Sequence, residues 1–290
     1  MFMQHFSLRW KNFELDLGLR TAVMGIVNIT PDSFSDGGLF YSTAAAVAQA
    51  QRLVAAGADI IDIGGESSRP FAAEVTAEEE LRRVVPVIEQ LAPNIGVPIS
   101  IDTTKALVAE AAIRAGAAMI NDISALHLDA AIADVAARHG VPLILMHMKG
   151  TPRTMQVDPV YDDLLGEVRA YLQSAMARAV QAGVPRHLLI VDPGIGFGKT
   201  LTHNLLLLKH LHQLADLGAP ILIGPSRKAF IRKLLSDALQ EEVKADRPEV
   251  ETGTQATLAA AILNGAHIVR VHDVANTRAM VTVLDAIRKV

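Results

Sequence analysis

The chain has no cysteine among its 290 residues, which rules out disulfides and thiolate-bound metals. No apolar run approaches the ~20 residues that a membrane-spanning helix needs. The first residues form no uninterrupted hydrophobic segment, because Arg9, Lys11, Glu14 and Asp16 are scattered among them, so no signal peptide is expected. A basic excess is missing too. The formal net charge is -4 and no basic stripe stands out, so neither nucleic acid nor a membrane is an expected partner. These absences lead to the expectation of a cytoplasmic protein. Any anionic ligand must meet positive charge that is local rather than global. With no linker and no low-complexity segment, one domain is expected, residues 21–290, preceded by an extension over residues 1–20 that could form a short hairpin across a barrel floor.

What is present is a repeating order of elements. Half of the residues are hydrophobic, enough for one large core. Apolar runs over residues 22–28, 59–63, 98–102, 119–122, 142–147, 188–192, 220–224 and 267–271 are nearly continuous in Ile, Val and Leu. Continuous rather than alternating runs mark parallel strands buried on both faces. Helical stretches lie between them, over 43–56, 105–115, 164–182, 204–217 and 254–264, and the residues that follow are Gly57, Gly116, Gly183, Gly218 and Gly265. Thr76 and Glu79 have the spacing of a capping box opening a helix to about residue 90. Helix, Gly, strand, repeated along the chain, predicts a single-domain α/β fold, the (β/α)8 TIM barrel, with an open doubly wound sheet as the alternative.

The polar residues fall at the ends of the predicted strands. The first ends in Asn28-Ile-Thr-Pro-Asp-Ser-Phe-Ser-Asp-Gly-Gly38 and the second in Gly64-Gly-Glu-Ser-Ser-Arg-Pro70. Asp102, Asn121-Asp122 and His147 end the third, fourth and fifth. Asp192-Pro-Gly-Ile-Gly-Phe-Gly-Lys199, Ser226-Arg-Lys228 and Arg270-Val-His272 end the last three. In a barrel these ends share one face, where active sites sit. Asp102, Asn121 and Asp192 supply acceptors and an amide suited to a ring edge with several N–H donors. Ser226, Lys228, Arg270 and His272 supply donors and cations suited to phosphate or carboxylate. Asn28 could help a hard cation held mostly by phosphate oxygens.

Some residues carry blander expectations. His147 reads as a satisfied core histidine, Asp32 as a turn residue, and Glu66 and Arg227 as anchors of their own loops. His210 and His212 are two apart on a helix and share no face. The stretch 194–200 imitates a nucleotide-binding loop, but only three residues separate Gly194 from Gly198, one short of the phosphate-binding spacing.

In order along nearly the whole chain, these segments resemble the dihydropteroate synthase family. The resemblance implies condensation of a dihydropterin pyrophosphate with p-aminobenzoate, Mg2+ as cofactor, and a homodimer. It implies that Asp102, Asn121, Asp192 and Lys228 hold the pterin, and that Asn28, Arg270 and His272 hold the pyrophosphate, with Asn28 also touching the metal. Ser68, Arg69, Pro70, Phe197 and Ser226 would border p-aminobenzoate. Asp36 would stabilise the developing cation, with Asp102, Arg270 and His272 as the other catalytic groups. Two positions depart from the pattern. Ser68 replaces the usual Thr and keeps the hydroxyl. Phe71 replaces the usual Gly and could narrow the outer pocket against sulfonamides. Two other readings fit a pterin-binding barrel: a methyl-folate-binding module of a corrinoid methyltransferase, or a non-catalytic homologue.

Overall fold

The computed structural model describes residues 4–29, 39–67, 74–151, 155 and 159–290, with no side-chain description for 39–42. Ten strands and nine α-helices follow in chain order among these residues. β1 (Phe6–Trp10) and β2 (Phe13–Leu17) pair antiparallel as a hairpin. The other strands are β3 (Ala22–Asn28), β4 (Ile60–Gly64), β5 (Ile99–Asp102), β6 (Met119–Asp122), β7 (Leu143–Met146), β8 (Leu189–Asp192), β9 (Leu222–Ile223) and β10 (Ile268–Val271). They form one eight-stranded sheet in the order β8-β7-β6-β5-β4-β3-β10-β9, every pair parallel. A parallel bridge between Val191 and Ile221 joins its two edges, so the sheet is a nearly closed barrel. That is the (β/α)8 architecture the sequence predicts.

The closing seam is thin for a local reason. The expected strand 220–224 shrinks to Leu222–Ile223. It begins at Pro220, which has no N–H to give a ladder; its carbonyl instead accepts from Val191 N at 2.9 Å.

The helices are α1 (Leu39–Ala55), α2 (Ala77–Leu91), α3 (Ala106–Ala115), α4 (Ala131–His139), α5 (Leu164–Gln181), α6 (Leu201–Lys209), α7 (Ala229–Leu239), α8 (Pro248–Leu263) and α9 (Val274–Arg288). α2 shows why they form. Thr76 Oγ1 accepts from Glu79 N, three glutamates sit in the first turn beside the positive end of the helix dipole, and Val84, Val87, Ile88 and Leu91 make one buried stripe. Only half of the expected capping box is made there, because the Glu79 carboxylate pairs with Arg82 and Arg83. A reciprocal box appears instead at Thr200 and His203, opening α6.

The helix expected over 204–217 is two elements. α6 ends at Lys209 and a 3-10 helix covers Leu211–Leu217. Its buried residues Leu211, Leu214 and Leu217 recur every three positions, which suits three residues per turn and not 3.6.

The hairpin caps the N-terminal ends of the strands. Leu8, Trp10, Leu15 and Leu17 alternate with outward Ser7, Arg9, Glu14 and Asp16 and are buried. Trp10 Nε1 donates to Ala118 O at 2.7 Å, just before β6. His267, just before β10, accepts from Ile221 N on Nδ1 and donates from Nε2 to Gln4 O. Parallel pairing then sends the C-terminal ends of all eight barrel strands to the opposite face.

Candidate active site

That opposite face gathers the described residues singled out at the strand ends. The centre is a polar cluster spanning four strands, β4, β5, β6 and β10. Arg270, on β10, donates from Nε to Asp62 Oδ2 and from Nη2 to Asp102 Oδ2, both at 2.6 Å. Asn121 Nδ2 donates to the same Asp62 oxygen at 3.2 Å. Asp62 is fully buried, and its Oδ1 has no hydrogen-bond partner among the described residues. Burial lifts the Asp102 carboxyl above the usual carboxylate range, against the pull of Arg270. With Nδ2 held by Asp62, the Asn121 oxygen is oriented as an acceptor. Arg270 retains three further N–H groups for a ligand.

Asp62 was not among the residues expected to act. Its signal is a lone carboxylate in an otherwise apolar strand, Ile60-Ile-Asp-Ile63.

A second group sits at the ends of β8 and β9. Asp192 is buried and accepts from Gly194 N at 2.7 Å, and burial raises its carboxyl. Lys228 donates to Ile195 O and stands 4.3 Å from the Phe197 ring centre. Burial brings its amine down to about 7, partly opposed by Asp192. Gly196 leaves space for this lysine: its φ is +83°, and a Cβ would lie 2.8 Å from Lys228 Cδ. The glycine-rich stretch 194–198 therefore cradles a lysine, in keeping with the rejection of a nucleotide loop. Phe197 itself packs with Met146, Met148 and Met155.

Ser226 and His272 also meet, with Ser226 Oγ 2.9 Å from His272 Nδ1. Asn28, ending β3, faces the space above Gly64. A Cβ on that glycine would lie 3.8 Å from Asn28 Oδ1 and 3.7 Å from Asp102 Oδ2. Among the described residues no three His, Asp or Glu side chains gather into a metal cage. One neutral oxygen from Asn28 fits a Mg2+ ion whose other ligands come mostly from phosphate and water.

Asp36, Ser68, Arg69, Pro70 and Phe71 lie outside the described residues. The flanks of the segment that holds the last four are described. Glu66 Oε1 accepts from Val75 N, Arg83 donates to Gly65 O, and Lys105 Nζ bridges Glu66 and buried Glu80 at 2.5 and 2.6 Å. Glu66 anchors its loop in this way, and Arg227 pairs with Glu251 on α8.

The pterin binding enzyme family matches residues 24–272. The chain is 49% identical over 272 residues to the dihydropteroate synthase of Synechocystis sp., covering 94% of this chain and 92% of that protein. Among solved structures, the Yersinia pestis dihydropteroate synthase in a sulfonamide drug complex superposes with a TM-score of 0.90 at 44% identity, covering 98% of this chain and all of that one. The Xanthomonas albilineans dihydropteroate synthase in complex with 7,8-dihydropteroate superposes with a TM-score of 0.83 at 43% identity, covering 95% and 97%.

Proposed function

The chain belongs to the pterin binding enzyme family, and from that premise we propose how its barrel mouth divides the work of dihydropteroate synthesis. The reaction is a transfer: 6-hydroxymethyl-7,8-dihydropterin pyrophosphate and p-aminobenzoate give 7,8-dihydropteroate and pyrophosphate, a step of folate biosynthesis. The observation that carries the residue assignment is the cluster of Asp62, Asp102, Asn121 and Arg270, with Asp192 and Lys228 beside it.

Asp102, Asn121, Asp192 and Lys228 line the pterin ring edge, where buried carboxylates accept ring N–H donors. Arg270 bridges the two halves of the site. Its Nε and one Nη2 hydrogen are spent on Asp62 and Asp102, and the remaining donors reach the pyrophosphate together with His272 and Asn28. The C–O bond between the pterin methylene and pyrophosphate breaks, and its electron pair leaves on the pyrophosphate. Donors fixed in advance stabilise that developing charge. Asn28 would help hold a Mg2+ ion, which would supply further neutralisation of the leaving group's charge. The carboxylates of Asp102 and Asp36 stabilise the methylene cation. The neutral aniline nitrogen gives its lone pair to form the C–N bond and sheds a proton to solvent. Ser68, Arg69, Pro70, Phe197 and Ser226 border that second substrate, and Phe71 narrows its outer rim against sulfonamides. An unchanged sulfonamide inhibition constant in Phe71→Gly would remove this last assignment.

We further assign the protein to the cytoplasm, as a homodimer. Exposed Leu263 on α8, and Val283 and Ile287 on α9, support a subunit contact. No helix among the described residues is long and apolar enough to cross a membrane.

The test is incubation of the purified protein with the pterin pyrophosphate and Mg2+, with and without p-aminobenzoate. Pyrophosphate and dihydropteroate are expected in equal amounts, and only with p-aminobenzoate. Pterin binding without dihydropteroate would instead favour the methyl-folate-binding module.

A further inference from the structure

Lys199 has no part in the chemistry above, yet it is 2% exposed. It follows the glycine-rich stretch after β8, where the main chain turns back against the end of β7. Its Nζ donates to the Phe197 carbonyl oxygen at 2.9 Å and shares a hydrogen bond of 2.9 Å with His147 Nδ1. His147 is itself 4% exposed, and its ring meets those of Tyr171 at 4.7 Å and Tyr161 at 6.1 Å between centroids.

Burial, opposed in part by Asp192, drives the lysine well below its ordinary range, and burial takes the histidine down to about 2, so the contact joins two groups whose charged forms are disfavoured.

The contact fixes one thing: the backbone of Phe197. The surroundings show what depends on it. Gly194 has a φ of +68°, and a Cβ there would collide with the His147 carbonyl oxygen. Tyr161 Oη donates to Gly198 O at 2.7 Å. The stretch is thus pinned at Gly194, Phe197 and Gly198, and the Phe197 ring projects from it among Met146, Met148 and Met155, beneath the Lys228 ammonium.

We propose that Lys199, itself held by His147, is a positioning residue that sets the Phe197 ring as the aromatic wall of the p-aminobenzoate subsite. The proposal rests on the placement of p-aminobenzoate at Phe197 made above. Lys199 touches neither substrate. It acts by holding a carbonyl, which holds the backbone, which aims a ring.

The test is steady-state kinetics of Lys199→Met, which keeps the length and burial but cannot donate. The KM for p-aminobenzoate is expected to rise about tenfold, the effect of a misplaced positioning contact. The KM for the pterin pyrophosphate and kcat should stay within about twofold, since groups beyond contact range act independently. In Phe197→Leu the added Lys199→Met change should have no further effect, because the ring it aims is gone. Equal rises in both KM values, no rise at all, or full additivity with Phe197→Leu would overturn the proposal. Should Lys199→Met fail to fold, His147→Leu removes the side chain that holds Lys199 and is subject to the same three readings. An inactive wild-type protein would refute the activity itself, and then the binding of p-aminobenzoate to wild type and Lys199→Met decides the positioning role: equal affinity overturns it.

Discussion

At the barrel floor Trp10 gives its N–H to Ala118 O, and His267 takes Ile221 N and gives its own N–H to Gln4 O. At the mouth Arg270 is stretched between two carboxylates, Asp62 keeps an unpartnered buried oxygen, and burial raises both Asp102 and Asp192. One set of strands carries both ends. The floor matches each of these buried polar groups with a neutral partner from the same chain and is closed by the apolar face of a hairpin. The mouth holds charges whose desolvation is compensated only in part. Buried ion pairs stabilise weakly, because desolvation offsets their attraction. Such a cluster is costly for the fold and useful for a ligand that brings N–H donors and phosphate oxygens. The comparison teaches that stability and activity in this chain are separable by position along the barrel axis.

Substitutions at the two ends should separate the properties. The largest effect is expected for Arg270→Ala. It removes the bridge to pyrophosphate and leaves Asp62 and Asp102 without their cation, so kcat/KM should fall by about 10³-fold in a continuous pyrophosphate-release assay. Next comes Trp10→Ala at the floor. Loss of a buried indole and its hydrogen bond should lower the unfolding free energy by about 3 kcal/mol in urea titration. Turnover per folded molecule should remain that of the wild type. If Trp10→Ala abolishes turnover while the protein is folded, the separation fails.

A third prediction concerns pH. Burial pushes the His267 imidazole down to about 4 from its ordinary 6.5. Between those values the unfolded chain takes up a proton that the folded one refuses. Stability is therefore full above pH 6.5 and falls as pH drops through this window. The contribution of His267 should be about 2 kcal/mol between pH 7 and pH 5. Unfolding curves at the two pH values measure it, and His267→Gln should flatten the profile by that amount. A profile of unchanged slope in the variant would mean that His267 is not held neutral.

The smallest expected effect is that of Thr76→Ala, which removes the cap of α2 while leaving its buried stripe. It should cost about 1 kcal/mol in thermal or urea unfolding. Because α2 also carries Arg83 and Glu80 against the ends of the segment with Ser68, Arg69 and Pro70, a larger change in the KM for p-aminobenzoate than in stability would show that the cap reaches the mouth.

The alternation of elements was legible because it is local. Continuous Ile and Val runs marked the strands of the barrel to within a residue or two at each end, and a glycine after a helix announced the turn into the next strand. What was hidden is contact across distance. Asp62 and Arg270 are 208 residues apart, and Lys199 and His147 are 52 apart. No spacing rule in one sequence pairs them. The 3-10 ending of the stretch after α6 was hidden for another reason: its three-residue apolar rhythm covers too few positions to outweigh the helical pattern before it. His147 read as a core histidine because it is one, but its lysine partner could not be inferred from the strand that holds it. Asp36, Ser68, Arg69, Pro70 and Phe71 lie on segments outside the described residues, and their assignments rest on sequence.

The most direct measurement is the ligand-induced shift in unfolding free energy, read by urea titration with the pterin pyrophosphate and Mg2+ but no p-aminobenzoate, in three proteins. At about 100 times the dissociation constant, binding should stabilise the wild type by about 2.7 kcal/mol. Trp10→Ala, though less stable, should show the same shift, and Asn121→Ala should show little of it at that concentration. A full shift in Asn121→Ala, or its loss in Trp10→Ala, would contradict the division between mouth and floor.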